Sequence, residues 1–189
     1  MKFSAVIVTR GDVDLGPIVA PIVPLADELV IRRGHRGVWE RWEAILSAKH
    51  ELVYTQDDDA IVELYSLVVA RSPESLRLDR IVCNMPGWKR VEYQDGTALV
   101  GWGAFVPKRL VAEALARYRR HFDDDDLFRR ECDRVITGLS MLELVDVPFS
   151  NAPWANGPGR MCSAAGDPIH ARARAEITAR IKTIRERRP

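Results

Sequence analysis

The sequence has little cysteine, no long apolar run and almost no net charge. Its three cysteines, Cys83, Cys132 and Cys162, form no CxxC pair. An odd number of widely spaced cysteines indicates no disulfide framework and favours a reducing compartment. No stretch approaches the ~20 apolar residues that a membrane-crossing helix needs. The formal net charge of +1, from 28 basic and 27 acidic residues, indicates by itself neither a nucleic-acid binder nor an acidic partner.

Two further absences narrow the class of protein. The sequence contains no GxxxxGK[ST] phosphate loop, which argues against a P-loop enzyme. The apolar run near the start, in MKFSAVIVTRGD, is short and leads into a polar turn, so we expect a first strand and no signal peptide. We therefore expect one cytoplasmic domain, because 189 residues can bury a sizeable core.

Apolar runs and helical spacings alternate along the chain. Strands are predicted at residues 3–9, 29–32, 52–55, 79–85, 96–106 and 141–149. Helices are predicted from the acidic stretch after residue 12, and at 37–48, 107–120, 123–139 and 171–188. Residues 151–166, rich in Gly, Pro, Asn and Ser, are predicted to form an irregular loop. The strand–helix order of the first 56 residues is typical of an α/β domain with a largely parallel sheet.

Three consecutive aspartates, Asp57, Asp58 and Asp59, follow the third predicted strand. Close carboxylates repel one another by about 1 kcal/mol per pair even in high dielectric. A divalent cation reverses that sign, and oxygen ligands suit Mg²⁺ or Mn²⁺. The alternative is a helix N-terminus, which aspartates stabilise. A second acidic run, residues 123–126, has no preceding strand, so we predict that it caps a helix and is solvated.

Ligands of parallel α/β sheets bind at the carboxyl ends of the strands. The Thr-Arg-Gly-Asp loop at residues 9–12 and the triple aspartate should therefore face one crevice. Arg10, in that loop, has a guanidinium that can bind phosphate through two parallel hydrogen bonds. Both interpretations of the aspartates, a metal site and a helix cap, stay open at this point.

The segment VYTQDDDAIV resembles the Asp-x-Asp element of GT-A-type glycosyltransferases, which use a nucleotide-sugar donor and a divalent metal. Four other segments resemble elements of that family in the same order: VIVTRGD, LVGWGAFVPKRLV (as in exostosin-like members), RRECDRVITGL and GDPIHARAR. The resemblance implies a single GT-A-like, Rossmann-type α/β domain with a mostly parallel central sheet flanked by helices. It also implies a nucleotide-sugar-binding half at residues 1–95, an acceptor and catalytic half at 96–170, and a basic C-terminal helix at 171–189.

Carried over position by position, the resemblance implies a donor site. Asp59 would be the principal ligand of Mn²⁺ or Mg²⁺, Asp57 would contact the metal, its bound water or the ribose, and His170 would complete the metal site. Asp58 would bond to the donor sugar, and a UDP-sugar is the expected donor. The remaining contacts to the nucleotide and the sugar would come from Thr9, Arg10, Gly11, Trp102 and Gly103. The alternatives are a surface role for His170 and core packing for Trp102.

The resemblance implies that Asp133, in ECDRV, lies near the acceptor hydroxyl. An inverting enzyme would use it as general base, and a retaining enzyme would use it to position the acceptor or stabilise the oxocarbenium-like centre. Glu131 is the other catalytic candidate. In a regular helix the two acids point to different faces, so we expect only one in the pocket. The alternative for both is an exposed acid paired with Arg129, Arg130 or Arg134.

A compact glycosyltransferase with an arginine-rich terminal helix resembles small bacteriophage enzymes that glycosylate hydroxymethylated pyrimidines in double-stranded DNA, which implies the host cytoplasm. Seven basic residues would then contact phosphates: Arg172, Arg174, Arg180, Lys182, Arg185, Arg187 and Arg188. The alternatives are a solvated basic face with a small-molecule, glycan or protein acceptor, a non-catalytic nucleotide-binding protein, and a Mg²⁺-dependent phosphotransferase or nucleotidyltransferase.

Overall fold

The structure is a computed structural model that describes residues 2–34, 38–64, 78–90, 93, 95–155 and 168–187. Its elements, in chain order, are β1 (Ser4–Thr9), α1 (Gly16–Val19), β2 (Glu28–Arg33), α2 (Trp39–Ser47), β3 (Leu52–Asp57), β4 (Ala60–Val62), β5 (Ile81–Asn84), α3 (Gly87–Arg90), β6 (Ala104–Pro107), α4 (Lys108–Arg119), α5 (Asp126–Gly138), β7 (Leu142–Val145), β8 (Phe149–Asn151) and α6 (Pro168–Glu186). Among the described residues, no helix is long and apolar enough to cross a membrane.

Six strands form the central sheet in the order β2-β1-β3-β6-β5-β7. All neighbouring pairs are parallel except those that β6 makes with β3 and β5. The prediction of an α/β fold with a mostly parallel central sheet is therefore confirmed. The carboxyl ends of β1, β3, β5 and β7 and the amino end of β6 lie along one edge, which we call the carboxyl edge.

The sheet is covered on both faces because its strands carry apolar side chains in both directions. Val6 and Val53 belong to a core cluster that also contains buried side chains of α2, α4, α5 and α6. Ile7 and Tyr54, their neighbours along β1 and β3, belong to a second cluster that contains side chains of α1 and β4. We call these two sides of the sheet the helix face and the hairpin face.

The triple aspartate ends a strand and begins no helix. Asp57 is the last residue of β3, Asp58 and Asp59 form a turn, and β4 begins directly afterwards. The helix-cap alternative for this cluster is therefore wrong. The side-chain amide of Gln56 donates to the carbonyl of Ala60 across the turn, so the buried strand end itself stabilises the reversal.

The second acidic run behaves as predicted at one position. Asp125 is the N-cap of α5, and its Oδ1 accepts a hydrogen bond from the amide of Phe128 at 2.8 Å. This bond satisfies one of the amide groups that a helix start leaves without an intrahelical partner.

Three predicted elements differ from the structure. The helix after residue 12 is only the four residues of α1, because Pro21 and Pro24 soon follow and lack the amide that a helix needs. The strand at 96–106 is limited to β6, which starts after Gly103 at φ +98°. The strand at 141–149 divides into β7 and β8, and β8 pairs with β4 outside the central sheet. Of the predicted loop at 151–166, residue 151 ends β8, and residues 156–166 lie outside the described part of the chain.

Candidate functional site

Topology brings the first loop and the aspartate turn together. In the parallel register of β1 and β3, Val8 is paired with Asp57, so the two loops leave the sheet side by side. Thr9 is buried, and its hydroxyl accepts a hydrogen bond from the amide of Gly11 at 3.0 Å. Gly11 has φ +83°, a conformation that favours glycine. Arg10 is exposed, and its Nε lies 4.0 Å from Oδ2 of Asp12.

A buried arginine that the sequence analysis missed connects two of the predicted site residues. The side chain of Arg41 is 3% exposed; its Nη2 donates to Oδ1 of Asp57, and its Nη1 donates to Oδ2 of Asp133 at 3.0 Å. Trp42 donates its indole N–H to the other oxygen of Asp133 at 2.8 Å. The first turn of α2 therefore links the aspartate turn of β3 to α5.

The ionisation of this cluster shows how strongly its charges interact. Burial raises the pKa of Asp133, and the nearby charges of Asp57 and Glu131 raise it further, against the opposing effect of Arg41. Burial lowers the pKa of Arg41, but the charges of Asp57 and Asp133 outweigh it and the net direction is upward. Burial is thus the main cause of the raised pKa of Asp133.

A kink in α5 places Glu131 beside the terminal helix. Glu131 has φ −122° and ψ 25°, outside helical values, and is 7% exposed. Its carboxylate lies 3.2 Å from Nε of Arg134 and 3.3 Å from Nδ1 of His170 in α6. The expected pairing with Arg134 is present, but neither Glu131 nor Asp133 is an exposed acid. The two carboxylates have different partners: Asp133 contacts Arg41 and Trp42, and Glu131 contacts Arg134 and His170.

The described residues contain no group of three or more His, Cys, Asp or Glu side chains placed to hold a metal ion. His170 contacts Glu131, and the three aspartates of the turn are half-buried. Mg²⁺ is usually bound by one or two carboxylates together with substrate phosphates, with water in its other positions. The oxygen donors of the turn fit that mode of binding.

The segment Gly101-Trp102-Gly103 packs directly on the aspartate turn. The carbonyl of Gly101 accepts the amide of Asp57 at 2.8 Å, and a Cβ at position 101 would overlap Oδ2 of Asp57. Only glycine permits this close approach. Trp102 is half-buried and stacks on Phe149, with ring centroids 4.8 Å apart, so it packs at the margin of the core and keeps an accessible part.

Two arginines of the basic helix are bound within the protein. Arg180 contacts the Tyr118 hydroxyl at 2.7 Å and Oδ2 of Asp125 at 2.8 Å. Arg185 donates to the carbonyl of Gly138 at 2.7 Å and to that of Asp95 at 2.8 Å. Their guanidinium groups therefore fix α6 to the domain.

No protein-family model matches the chain, and no curated protein matches it. Two solved structures are similar, both of glucosyl-3-phosphoglycerate synthase from Mycobacterium tuberculosis. The complex with Mg²⁺ and UDP has a TM-score of 0.56 at 16% identity, over 96% of this chain and 79% of that one. The complex with Mn²⁺, UDP-glucose and phosphoglyceric acid has a TM-score of 0.52 at 14% identity, over 96% and 80%. These similarities show the fold: it is GT-A-like.

Proposed function

We propose that this protein transfers a sugar from a nucleoside-diphosphate sugar, with a UDP-sugar as the expected donor, to a hydroxyl acceptor with the assistance of Mg²⁺ or Mn²⁺. The observation that carries the proposal is the aspartate turn at the carboxyl end of β3, beside the loop that follows β1. The similar structures, which contain UDP or UDP-glucose and a divalent metal, support the same class of donor.

In this proposal the aspartate turn binds the metal and the donor sugar, and the first loop binds the nucleotide. Asp59 and Asp57 hold the metal ion together with diphosphate oxygens and water, and Asp58 bonds to the donor sugar. The bound ion would stabilise negative charge on the departing nucleoside diphosphate. Arg10 binds phosphate, which suits its exposure beside the turn.

The backbone and aromatic contacts of the proposed site serve the same donor. The hydroxyl of Thr9 holds the loop at Gly11, which shapes the nucleotide site. Trp102 and Gly103 line the sugar next to the turn, where Gly101 contacts Asp57.

The transfer breaks the bond between donor C1 and the diphosphate oxygen and forms a bond between C1 and the acceptor oxygen. The acceptor hydroxyl loses its proton in this exchange. We assign Asp133 as the base, because Arg41 links its carboxylate to Asp57 in the aspartate turn and a carboxylate can accept the proton of the acceptor hydroxyl. Glu131, whose carboxylate contacts Nδ1 of His170 at 3.3 Å, is the second candidate for this catalytic carboxylate.

The decisive experiment measures metal-dependent turnover of the donor. The purified protein is incubated with Mn²⁺ or Mg²⁺ and a panel of nucleotide sugars, and the release of nucleoside diphosphate is followed. We expect turnover of at least one donor, its loss on chelation, and a decrease of more than about 100-fold in Asp59→Ala. Asp123→Ala, the same substitution in the exposed second run, is the matched control. Full turnover by Asp59→Ala, or turnover of no donor, would refute the proposal.

Double-stranded DNA that carries hydroxymethylated pyrimidines is a second candidate acceptor, which is favoured by the exposed Arg172 and Lys182 of α6 and by Arg187 directly after it. The test is transfer of labelled sugar to hydroxymethylated DNA and to unmodified DNA of the same sequence. Contacts to phosphate predict that transfer falls as salt rises while hydrolysis of the donor continues. Unlabelled DNA with every donor would exclude this acceptor and leave the proposed enzyme class intact.

A further inference from the structure

Trp88 is exposed in a way that packing does not explain. It is 67% exposed, the highest fraction among the large hydrophobic side chains of the described residues. Most large apolar side chains are buried, and an accessible aromatic surface commonly marks a binding site. Trp88 lies in α3, directly after β5, and therefore at the carboxyl edge.

Trp88 is the outer member of a group of three rings. Its centroid is 5.7 Å from that of Trp102, and Trp102 is stacked on Phe149 at 4.8 Å with an angle of 24°. We call Trp88, Trp102 and Phe149 the aromatic platform. Its inner rings contact the core cluster of the hairpin face, while Trp88 extends into solvent.

A buried asparagine holds the backbone segments that carry these rings. Asn84, fully buried at the end of β5, donates to the carbonyls of Trp102 at 3.0 Å and Val147 at 3.2 Å. Its side-chain oxygen accepts the amide of Val147 at 3.0 Å. One side chain therefore connects the segments before α3, before β6 and before β8. The backbone segments that lead to Trp102 and Phe149 are therefore held together by contacts within the protein.

The position of the platform along the edge separates it from the donor nucleotide. The nucleotide loop follows β1, and the aspartate turn follows β3, the next strand. Trp102 precedes β6, and Trp88 follows β5, which is two strands beyond β3 and therefore about 10 Å away. In the proposed site the diphosphate of the donor binds at the turn and its sugar binds beside Trp102. Trp88 lies beyond that sugar, where the acceptor would bind.

We propose that Trp88, the exposed member of the aromatic platform, binds the acceptor, and that the acceptor hydroxyl is carried by a pyranose sugar ring that stacks on it. This inference rests on the proposed function and names its acceptor class. An indole offers a broad apolar face that suits the C–H face of a sugar ring, while the hydroxyls at the edge of the ring stay available to polar groups.

The charges near the platform favour a sugar over a nucleic acid. Lys89 lies 5.8 Å from the Trp88 ring, and Asp146 lies close by, with its Oδ2 accepting the amide of Gly87 at 3.1 Å. This mixture of charges differs from the positive groove that follows a nucleic-acid backbone.

The first test measures binding by tryptophan fluorescence, with methyl α-D-glucopyranoside and methyl α-D-mannopyranoside as probes. Sorbitol is the control ligand, because it has similar hydroxyls and no ring. We expect a saturable change with at least one pyranoside, no saturation with sorbitol, and a dissociation constant about tenfold higher in Trp88→Ala. Met141→Ala is the matched variant, since Met141 is 58% exposed and precedes β7 at the opposite edge, and it should bind as the wild type does. Equal binding by Trp88→Ala, or equal binding of sorbitol, would overturn the inference.

The second test measures transfer of labelled sugar to the pyranoside that binds best. Trp88→Ala should raise the KM for that acceptor about tenfold. A rise in the donor KM would place Trp88 at the donor sugar instead. Trp88-dependent binding of a hydroxymethylpyrimidine oligonucleotide would show that the acceptor is a nucleic acid and not a sugar. Either result overturns the assignment. If the wild type turns over a donor but no pyranoside binds, this inference fails and the proposed function stands. If pyranosides bind through Trp88 but no donor is turned over, the proposed function fails.

Discussion

The two aspartate runs of this chain have nearly the same composition and opposite surroundings. Residues 57–59 end a central strand, and the carboxylate of Asp57 meets the buried Arg41. Residues 123–126 follow α4 and lead into α5, which begins at Asp126. Asp124 pairs with Arg119, which is 49% exposed, and Asp126 is 91% exposed. The role of a run of carboxylates therefore depends on its position at the end of a strand or the start of a helix, and on its exposure to solvent.

The largest expected difference between the two runs concerns their arginine partners. Arg41→Met leaves Asp57 and Asp133 without their shared partner, and breaking a buried ion pair in this way costs about 3–5 kcal/mol. Arg119→Met removes a pair that is largely in solvent, and such pairs are worth about 0–1 kcal/mol. Urea unfolding of both variants gives the two free energies. Similar losses of unfolding free energy in the two variants would show that burial does not distinguish the runs. The unfolding free energy of Arg41→Lys should lie between those of Arg41→Met and the wild type, because an ammonium lacks the planar guanidinium fork.

A methyl group at position 101 tests the packing that only the first run has. In Gly101→Ala the new Cβ overlaps the carboxylate of Asp57, which Arg41 holds in place. We expect a loss of about 1–3 kcal/mol from overpacking and a decrease in donor turnover of about tenfold, because the aspartate turn must shift. Gly16→Ala is the control, since its Cβ would lie 3.1 Å from the exposed Asp14 carboxylate, which can move. Unchanged turnover in Gly101→Ala would show that the activity does not depend on the position of Asp57.

The smallest expected effect belongs to the cap in the second run. Asp125→Ala removes the bond to the Phe128 amide, an N-cap worth about 1 kcal/mol, and the half-exposed ion pair with Arg180, worth about 0–1 kcal/mol. Burial raises the pKa of Asp125, but hydrogen bonds from Arg180 and Phe128 outweigh it, and the net direction is downward. The stabilisation is therefore complete above the ordinary carboxyl range and is lost as pH falls through the lowered pKa.

Thermal unfolding of wild type and Asp125→Ala across the acidic range measures this dependence. The difference in stability between the wild type and Asp125→Ala should become smaller as pH falls. The stability of Asp123→Ala should stay within about 0.5 kcal/mol of that of the wild type at each pH. A stability difference between the wild type and Asp125→Ala that grows toward low pH would contradict this role of the Asp125 carboxylate.

The sequence predicted the features that depend on local pattern. Apolar runs identified the strands that end at the carboxyl edge, and the strand–helix order of the first 56 residues predicted the parallel pairing of β1 with β2 and β3. The capping role of Asp125 followed from an acidic residue before an apolar helical pattern. These signals lie within a few residues of the structure that they specify.

The features that the sequence did not predict depend on distant contacts. Arg41 has the spacing of an exposed helical charge, and its burial follows from its pairing with Asp133, 92 residues away. The available signal was the pair of tryptophans at 39 and 42, which leaves little of that helical turn for solvent. The kink at Glu131 accompanies its contact with His170, in another helix. The antiparallel direction of β6 is likewise invisible in the four residues of that strand.

The guanidinium of Arg41 gives the aspartate turn a resident counterion. A site made only of carboxylates stays open, through mutual repulsion, until a metal arrives, whereas this one is closed by the chain itself. In the proposed enzyme, uptake of a divalent ion would then be an exchange of one positive partner for another. The fold would be complete in the resting state, and changes in cellular metal supply would alter its activity without altering its shape.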